Sequence, residues 1–514
     1  MMNNTDQNKS RTQSVLDFVE YFGNKLPHPF MIFVYLAAII IVISAVVAYF
    51  DVSVVHPGTG EEVSAQNLLS GEGLLFALES MLSNFTGFAP LGLVLTMILG
   101  IGVAQGVGLF DTAIKASIAK APRAVITYAI AFVAVMGNIA SDAAVIIIPP
   151  LAAMIFYSLG RNPIAGIATG FAGAIGGFTA NLMIAGTDAL LAGITTEAAQ
   201  SIDPNMVVTA VDNYFFISAS VFVVVFLVGI VTEKIIEPRL GEYNPEYAEE
   251  GVLEQEQDEV SKQEMKALIY SIISALLYAG LVIALIWPEN SVLRGENGSL
   301  VPSPFLSNII PIIFLLFIVV SVTYGVTAKT IKKASDVPVY MTSAIKGMAP
   351  YIVLVFAISQ FIAYFNWTNL STIIAVNSAD FLESVNFTGL PLIIIFILVM
   401  GVLNQFITSG SAQWALMAPV FVPMFMLLDY HPAFTQVAYR IGDSSTSLLT
   451  PLNPYLIMVL GFMKRYDSRS GLGSIISTMI PYTIFLLTGW ILLMVVWVLL
   501  DLPVGPGINI RLSE

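Results

Sequence analysis

The chain has 514 residues, of which 57% are hydrophobic and only 11% are charged. Soluble domains carry roughly 25% charged residues, so this composition excludes an ordinary soluble fold and predicts an all-α, polytopic membrane protein. The sequence contains no cysteine, which excludes disulfides, thiolate metal sites and thiol catalysis. The net charge of −14 comes with no basic cluster of the kind that binds nucleic acid, so the expected partners are a lipid bilayer and small molecules.

The first predicted unit is a cytoplasmic N-terminus, 1–29, which is polar and shows no cleavable signal peptide. The first framework helices are predicted within 30–123. There the uncharged runs 30–50 and 87–110 each reach the roughly 20 residues that a membrane-spanning helix needs. Lysine and arginine mark cytoplasmic loops, so the positive cluster at 115–123 indicates that the second run returns the chain to the inside.

The next unit, 124–194, is predicted to form a re-entrant hairpin and a broken helix. Its first part runs from one positive cluster to another at Arg161, so it must cross the bilayer an even number of times or not at all. Each arm has about 15 residues, which span roughly 22 Å as a helix against a hydrocarbon core of roughly 30 Å. We therefore predict a hairpin that enters from the cytoplasm and turns at GNIASD, 137–142. The following crossing, 164–194, is interrupted by GAIGGFTAN.

Further framework helices are predicted in 195–388. The expected crossings are 213–232, 267–287, 305–328 and 347–365. The acidic linker 233–266 is expected to be a solvated cytoplasmic loop, because acidic residues contribute little to membrane orientation. The segment 366–388 is expected to lie outside the bilayer as a surface segment.

The unit 389–463 is predicted to repeat the hairpin and broken helix from the opposite face. Residues 389–428 contain no charged side chain, but NQFITSGSAQW, 404–414, interrupts them with polar ones. If the next positive cluster is cytoplasmic after one further crossing, this segment must enter and leave on the outer side. The last unit, 464–514, holds a final crossing near 474–500 and a periplasmic C-terminus. The total is nine transmembrane helices plus two re-entrant hairpins.

The two hairpins, each followed by an interrupted crossing, form an inverted repeat. Polar tips and unwound helices free backbone groups that lipid cannot satisfy, so these segments persist only where they line a cavity. Inverted repeats with broken helices in matching places indicate the midplane site of a secondary transporter. The alternative is that the glycine, serine and threonine residues merely allow close helix packing.

Four charged residues fall within or beside the interrupted segments, namely Asp142, Asp188, Arg440 and Asp443. A charge at the bilayer centre costs at least about 2.5 kcal/mol, so each needs a partner. Arg440 and Asp443 are three residues apart and could neutralise each other on one helical face. Alternatively, Asp443 binds a cation or proton and Arg440 grips a substrate carboxylate. Asp188 is either the first repeat's counterpart or a solvated boundary residue, and Asp142 is expected to cap the returning arm.

Several long motifs in the sequence resemble those of one family. They are NQFITSGSAQWALMAPVFVPM, AYRIGDSSTSLLTPL, YFGNKLPHP, NFTGFAPLG, FNWTN and LPVGPG. With these motifs the chain resembles the AbgT family of p-aminobenzoyl-glutamate transporters and antimetabolite exporters. The resemblance implies a bowl-shaped homodimer in the bacterial inner membrane. It also implies Na⁺- or H⁺-coupled movement of an aromatic carboxylate, p-aminobenzoyl-glutamate, or of sulfonamide-type folate antimetabolites.

The same resemblance assigns candidate site residues. Asn404 and Asp443 match positions linked with cation binding, and Ser411 and Trp414 match hairpin positions that face substrate. By its residue type alone, Trp414 could either stack on an aromatic substrate or only anchor the hairpin. The remaining substrate-binding candidates are Asp188, Pro432, Arg440 and Pro451, which follow, flank or shape the two broken helices. An asparagine precedes both tips, so Asn138 is the candidate cation ligand of the first repeat, although its tip reads GNIASD instead of a Ser-Asn-Thr pattern.

Three alternatives to this function are weighed. An ion-coupled carboxylate importer of related fold would use the same devices. A channel would need a repeated ring of filter residues, which the sequence lacks. An intramembrane protease is not favoured, because neither a GxGD motif nor a His–Ser pairing occurs, so no enzyme activity is expected. For the coupling ion, an asparagine with free carbonyls beside Asp443 favours Na⁺ over a proton.

Overall fold

A computed structural model shows a chain that is mostly helical. The structure describes residues 27–55, 60–119, 122, 125–140, 143–249, 260–295, 298–301, 303–407, 409–450 and 453–513. The N-terminal unit and the acidic linker are therefore described only in part, and Asp142 and Pro451 lie outside the described residues.

The elements are numbered here in chain order. The helices are α1 (Pro29–Tyr49), α2 (Gly71–Glu79), α3 (Met81–Thr86), α4 (Ala89–Gly106), α5 (Leu109–Ala119), α6 (Ile126–Met136), α7 (Ala143–Ser158), α8 (Pro163–Gly176), α9 (Gly186–Ala199), α10 (Tyr214–Val231), α11 (Glu237–Leu240), α12 (Lys262–Ile286), α13 (Pro304–Ser307), α14 (Ile309–Ala328), α15 (Asp336–Gly347), α16 (Ala349–Trp367), α17 (Leu370–Ser384), α18 (Leu390–Leu403), α19 (Gly410–Leu427), α20 (Pro432–Thr446), α21 (Pro454–Tyr466) and α22 (Leu472–Leu499). Strands β1 (Ser53–Val55) and β2 (Glu62–Ser64) form an antiparallel pair.

Many of these helices are apolar enough to cross a bilayer. Eight described stretches reach the required length, namely Pro29–Tyr49, Met81–Gly106, Tyr214–Leu240, Lys262–Ile286, Ile309–Ala328, Ala349–Trp367, Gly410–Leu427 and Leu472–Leu499. Four apolar helices are shorter, namely Ile126–Ile139, Ala144–Ser158, Pro163–Gly176 and Leu390–Leu403. All four belong to the predicted hairpins and the first broken helix. A multi-pass helical membrane protein is therefore confirmed, whereas the count of nine crossings and two hairpins stays a prediction.

Both predicted broken crossings are interrupted. α8 ends at Gly176 and α9 begins at Gly186, while α20 ends at Thr446 and α21 begins at Pro454. The first halves also begin alike. In each, a proline in the first turn follows a polar residue, Asn162 or His431, whose side chain accepts a backbone N–H. Proline suits this place because its missing N–H would have no helical partner.

The helices of the two repeats interlock. α7 packs along α8 and α18 packs along α20, so each hairpin lies beside its own broken helix. The second halves cross over, because α9 packs against α19 while α21 packs against α7 and α8. Small residues permit part of this packing, since a Cβ added to Gly166 would lie 2.4 Å from the carbonyl oxygen of Ala152. The close-packing alternative therefore accounts for this glycine, although it leaves the polar breaks unexplained.

The two ends of α10 carry different sets of neighbours. At its start, the N–H of Phe215 donates to the carbonyl oxygen of Val504 in the C-terminal segment at 3.0 Å. Beyond its end, Glu237 pairs with Arg161, which precedes α8. The helix from Tyr214 to Leu240 measures about 40 Å at 1.5 Å per residue, so these two sets lie on separate sides of the molecule.

Two features depart from the sequence-based expectations. The segment 366–388, expected as a surface segment, contains α17, which buries Leu370, Ile373 and Ala379 and packs against α19. An apolar face repeating every three or four residues explains this burial. The strands β1 and β2 form a short hairpin in a fold expected to be all-helical.

Candidate functional site

A cavity of about 410 Å³ lies where the two predicted repeats meet. Its walls come from α7, from the break between α8 and α9, from the start of α19, and from the break between α20 and α21. The polar lining residues are Thr179, Thr187, Ser409, Ser411, Asp443, Ser444, Ser447 and Asn453. The apolar and aromatic ones include Val145, Ile175, Phe178, Leu190, Leu191 and Tyr455. The volume falls within the roughly 300–1,000 Å³ of small-molecule sites.

Three half-helices begin at this cavity. Thr187 lies in the first turn of α9, Gly410 begins α19, and Asn453 caps α21 by accepting the Tyr455 N–H at 3.0 Å. Helix N-termini carry partial positive charge and free N–H groups. The convergence of three such ends favours a negatively charged group of a ligand.

Asp443 supplies the charge of the cavity wall. Its carboxylate presses against the start of α19, since a Cβ added to Gly410 would lie 2.7 Å from Oδ2. Glycine therefore lets the second hairpin tip approach the carboxylate. Among the described lining residues there is no lysine, arginine or histidine. An anionic ligand would accordingly depend on helix ends or on a bound cation.

Asn404 and Asp443, both predicted cation ligands, are brought together at the C-terminal end of α20. Asn404 Nδ2 lies 2.7 Å from the Asp443 carbonyl oxygen, 2.9 Å from Ser447 Oγ and 3.0 Å from Thr446 Oγ1, so its two N–H groups serve three acceptors between them. The hydroxyl of Thr450 donates to the Asn404 carbonyl oxygen at 3.3 Å. Carbonyl and hydroxyl oxygens therefore gather at the negative end of α20, and a cation would bind them only after the Asn404 amide group turned its nitrogen away.

Arg440 pairs with Asp188, a residue of the other repeat. Arg440 Nη1 donates to Asp188 Oδ1 at 2.5 Å, and the two side chains are 3% and 0% exposed. Asp188 Oδ2 also accepts the Ala185 N–H at 2.7 Å, at the start of α9. Asp188 is therefore not a solvated boundary residue. Arg440 makes its ion pair with Asp188, and not with Asp443 as the structural alternative expected, and the pair lies outside the cavity wall.

Gln436 accepts from two further nitrogens of the same guanidinium. In the amide orientation that satisfies its neighbours, the side-chain oxygen accepts from Arg440 Nη2 at 2.8 Å and Nε at 3.3 Å, and from Asn213 Nδ2 at 3.1 Å. Its nitrogen donates to Thr195 Oγ1 at 2.8 Å. Sequence reasoning missed Gln436, because one glutamine in an amphipathic helix carries no distinguishing signal.

Trp414 is fully buried and does not line the cavity. Its ring stacks on Tyr439 with centroids 4.5 Å apart, and its Nε1 donates to Thr195 Oγ1 at 3.0 Å. The hydroxyl of Tyr439 in turn donates to the Gly410 carbonyl oxygen at 2.5 Å. In this structure the predicted substrate-facing tryptophan supports the hairpin tip from behind, whereas Ser411 lies on the cavity wall.

The other candidates lie away from the cavity. Pro432 is buried at the start of α20, about 16 Å along the helix from Asp443 at 1.5 Å per residue. Asn138 lies in a 3₁₀ turn after α6, buried, with both side-chain polar atoms unpaired among the described residues. Asn181, in the break after α8, is also buried with both side-chain polar atoms unpaired among the described residues. The two segments are neighbours, since a Cβ on Gly177 would lie 2.7 Å from Val135 Cγ2.

Sequence reasoning also missed cavity residues from the first repeat. Phe178 and Thr179 lie on the wall, and the Thr179 and Ser444 hydroxyls are 2.7 Å apart. Phe178 and Thr179 belong to GAIGGFTAN, the motif that indicated the helix break, so their position in this motif was the signal that could have identified them. Tyr455, directly after the Asn-Pro pair that starts α21, was missed in the same way.

A polar cavity bounded by helix breaks and by the start of α19, within a multi-pass apolar fold, is typical of a membrane transporter. The model of the AbgT putative transporter family matches residues 14–512, and this chain belongs to that family. It is a transporter and not an enzyme.

Known proteins resemble the chain over nearly its whole length. The p-aminobenzoyl-glutamate transport protein of Escherichia coli K12 is 41% identical over 505 residues, 98% of each chain. The crystal structure of the Alcanivorax borkumensis YdaH transporter, described as having an unusual topology, is 37% identical with a TM-score of 0.88, covering 93% of this chain and 100% of its own. Neisseria gonorrhoeae MtrF, described as illuminating a class of antimetabolite efflux pumps, is 40% identical with a TM-score of 0.91, covering 96% and 100%.

Proposed function

We propose that this transporter is ion-coupled and carries p-aminobenzoyl-glutamate, or exports sulfonamide-type folate antimetabolites, across the bacterial inner membrane. The names of the E. coli relative and of MtrF support these two substrate classes. The observation that carries the proposal is the cavity bounded by the breaks of both repeats and by the second hairpin tip. Unwound backbone at such a place offers N–H and carbonyl groups to a substrate and its coupling ions.

The coupling ion is assigned to the oxygen cluster around Asn404. The Asp443 carbonyl and the hydroxyls of Thr446 and Ser447 are hard ligands that suit Na⁺ once the Asn404 amide group turns its nitrogen away from them, and the Asp443 carboxylate adds the negative charge. A proton carried by that carboxylate is the alternative. Asn138 is assigned the matching position in the first repeat, because its buried amide lacks partners among the described residues.

The substrate carboxylates are assigned to the start of α19, where Ser411 lies on the cavity wall. Asp188 and Arg440 link α9 to α20 beside the cavity, so Arg440 reaches a substrate carboxylate only in a state in which the pair opens. Pro432, at the start of α20, is proposed to shape the second broken element, and Trp414 to support the start of α19.

A membrane topology with the N-terminus in the cytoplasm and the C-terminus in the periplasm accompanies the proposal. In that topology the start of α10 and the C-terminal segment are both outside, and Arg161 and Glu237 are both inside. The contacts at the two ends of α10 are compatible with this assignment. The protein is proposed to act as a homodimer in the bilayer. Helix α12 buries only Ala267 and Ser271 within the protomer, so it is proposed to face lipid or the second copy.

The test is uptake of labelled p-aminobenzoyl-glutamate, and counterflow with a sulfonamide, in proteoliposomes with imposed Na⁺ or proton gradients. The expected result is saturable uptake that depends on one gradient and is abolished in Asp443→Asn. Asn404→Ala is expected to raise the Na⁺ concentration for half-maximal uptake about tenfold if Na⁺ is the coupling ion.

Glu72→Gln is the control, because Glu72 is exposed in α2 and does not line the cavity. It should behave as the wild type. Uptake that is non-saturable or indifferent to every gradient would indicate a channel and would refute the proposal. Gradient-driven uptake of other carboxylates, with neither p-aminobenzoyl-glutamate nor sulfonamide accepted, would indicate a carboxylate importer.

A further inference from the structure

Two aromatic side chains lie on the cavity wall, one from each repeat. Phe178 lies in the break after α8, and Tyr455 lies in the first turn of α21. Both are partly exposed, whereas Trp414 is 0% exposed. Phe178 and Tyr455 therefore present ring surface to a ligand in the cavity, and Trp414 does not.

The cavity that these rings line has both apolar and polar residues on its wall. Val145, Ile175 and Leu191 are among the apolar ones. Ser409 and Ser411, at the start of α19, are among the polar ones. Such a cavity complements a ligand with a flat apolar end and a charged or hydrogen-bonding end, because each end is removed from water beside groups of its own kind.

We propose that Phe178 and Tyr455 are specificity-determining residues that bind the benzene ring of the substrate, while its polar end faces the start of α19. The inference rests on the proposed function, since it names the recognition element of the same cavity. Both proposed substrate classes carry a para-aminobenzene unit. One pair of ring-binding residues therefore serves both, and the polar wall accepts either the glutamate or the sulfonyl end.

Trp414 is a weaker candidate for this role because its ring and its Nε1 donor already contact other residues. One face of its ring stacks on Tyr439, and its single donor is engaged by Thr195. To meet a substrate it would have to leave both partners. Phe178 and Tyr455 already lie on the cavity wall.

The experiment compares two inhibitors of labelled p-aminobenzoyl-glutamate uptake in proteoliposomes. One is unlabelled p-aminobenzoyl-glutamate, and the other is cyclohexanecarbonyl-glutamate, which has a ring of similar size without a π face. Phe178→Leu and Tyr455→Leu should raise the KM for p-aminobenzoyl-glutamate about three- to tenfold and reduce the preference for the aromatic inhibitor. Tyr455→Phe keeps the ring and should restore that preference.

Phe132→Leu and Tyr35→Leu are matched controls, because both side chains are exposed, at 39% and 51%, and neither lines the cavity. Both should keep the wild-type preference. Folding of each variant is checked by its thermal transition in detergent. Leucine variants that fold and keep the full aromatic preference overturn the ring-binding role, while gradient-driven uptake by the wild type leaves the proposed function standing. Wild-type protein that takes up neither substrate class refutes the proposed function, and the ring-binding role with it.

Discussion

Arg440 donates to Asp188 at 2.5 Å, although the two residues are 252 positions apart in the chain. Because Asp188 lies in the first turn of α9 and Arg440 lies in α20, the pair ties the second half of one broken helix to the first half of the other. Both charges are buried, so each depends on the other to offset its desolvation. The pair therefore maintains the arrangement of the two repeats around the cavity.

Removing one member of this pair is expected to destabilise the protein strongly. Asp188→Asn leaves the Arg440 guanidinium without its counter-charge and should cost about 3–5 kcal/mol. The double variant Asp188→Asn/Arg440→Gln removes both charges and should recover part of that loss. The measurement is the apparent melting temperature in detergent. A double variant less stable than either single one would contradict the pairing.

Gly410→Ala is expected to impair transport. The added Cβ would lie 2.7 Å from Asp443 Oδ2, so the carboxylate must move away from the hairpin tip. Displacement of a site group by about 1 Å lowers rates substantially, and we expect a loss of about tenfold or more in the uptake rate. Gly461→Ala in α21 is the control, because nothing lies within 4 Å of its added Cβ. Equal uptake by both variants would show that the tip does not position Asp443.

Trp414→Phe is expected to lower stability without changing substrate affinity. Phenylalanine keeps a ring against Tyr439 but loses the Nε1 donor to Thr195, at a cost of about 1 kcal/mol. Thermal unfolding should detect this loss, and the KM for p-aminobenzoyl-glutamate should stay near the wild-type value. A rise in KM with unchanged stability would place Trp414 against the substrate after all.

Asp212 should make stability depend on pH. It lies in the loop before α10, outside the membrane-spanning segments, and burial raises the pKa of its carboxyl from 3.8 to about 6. The folded protein therefore binds this proton more tightly than the unfolded chain. Its contribution is fully present below about pH 4 and is lost as pH rises through about 6, a change of about 3 kcal/mol.

Asp212→Asn tests this dependence, because the amide oxygen can still accept the Thr209 N–H, which lies 2.9 Å from the carboxylate. Between pH 4 and pH 7 the wild-type melting temperature should fall relative to that of the variant. Parallel curves over this range would show that the proton on Asp212 does not contribute.

The places where helices break were predictable from the sequence, because span length and backbone satisfaction are local constraints. Glycine, serine, threonine, asparagine and proline within apolar runs marked the interruptions later seen after Gly176 and after Thr446. Asn404 and Asp443 were associated by the resemblance to the family, and the structure places them in contact. The packing of α17 was not predicted, because an apolar helical face does not show which neighbour it meets, and its partner, α19, follows in the chain only after another helix.

The sequence by itself determined the class of protein, the segments that carry polarity into the membrane, and the family. Only the tertiary structure decided that Arg440 takes Asp188 instead of Asp443, that Trp414 turns inward, and that Phe178 and Tyr455 reach the cavity. The physical reason is that spacing along a helix shows which side chains share a face. Which neighbour that face meets depends on the packing of helices from both repeats.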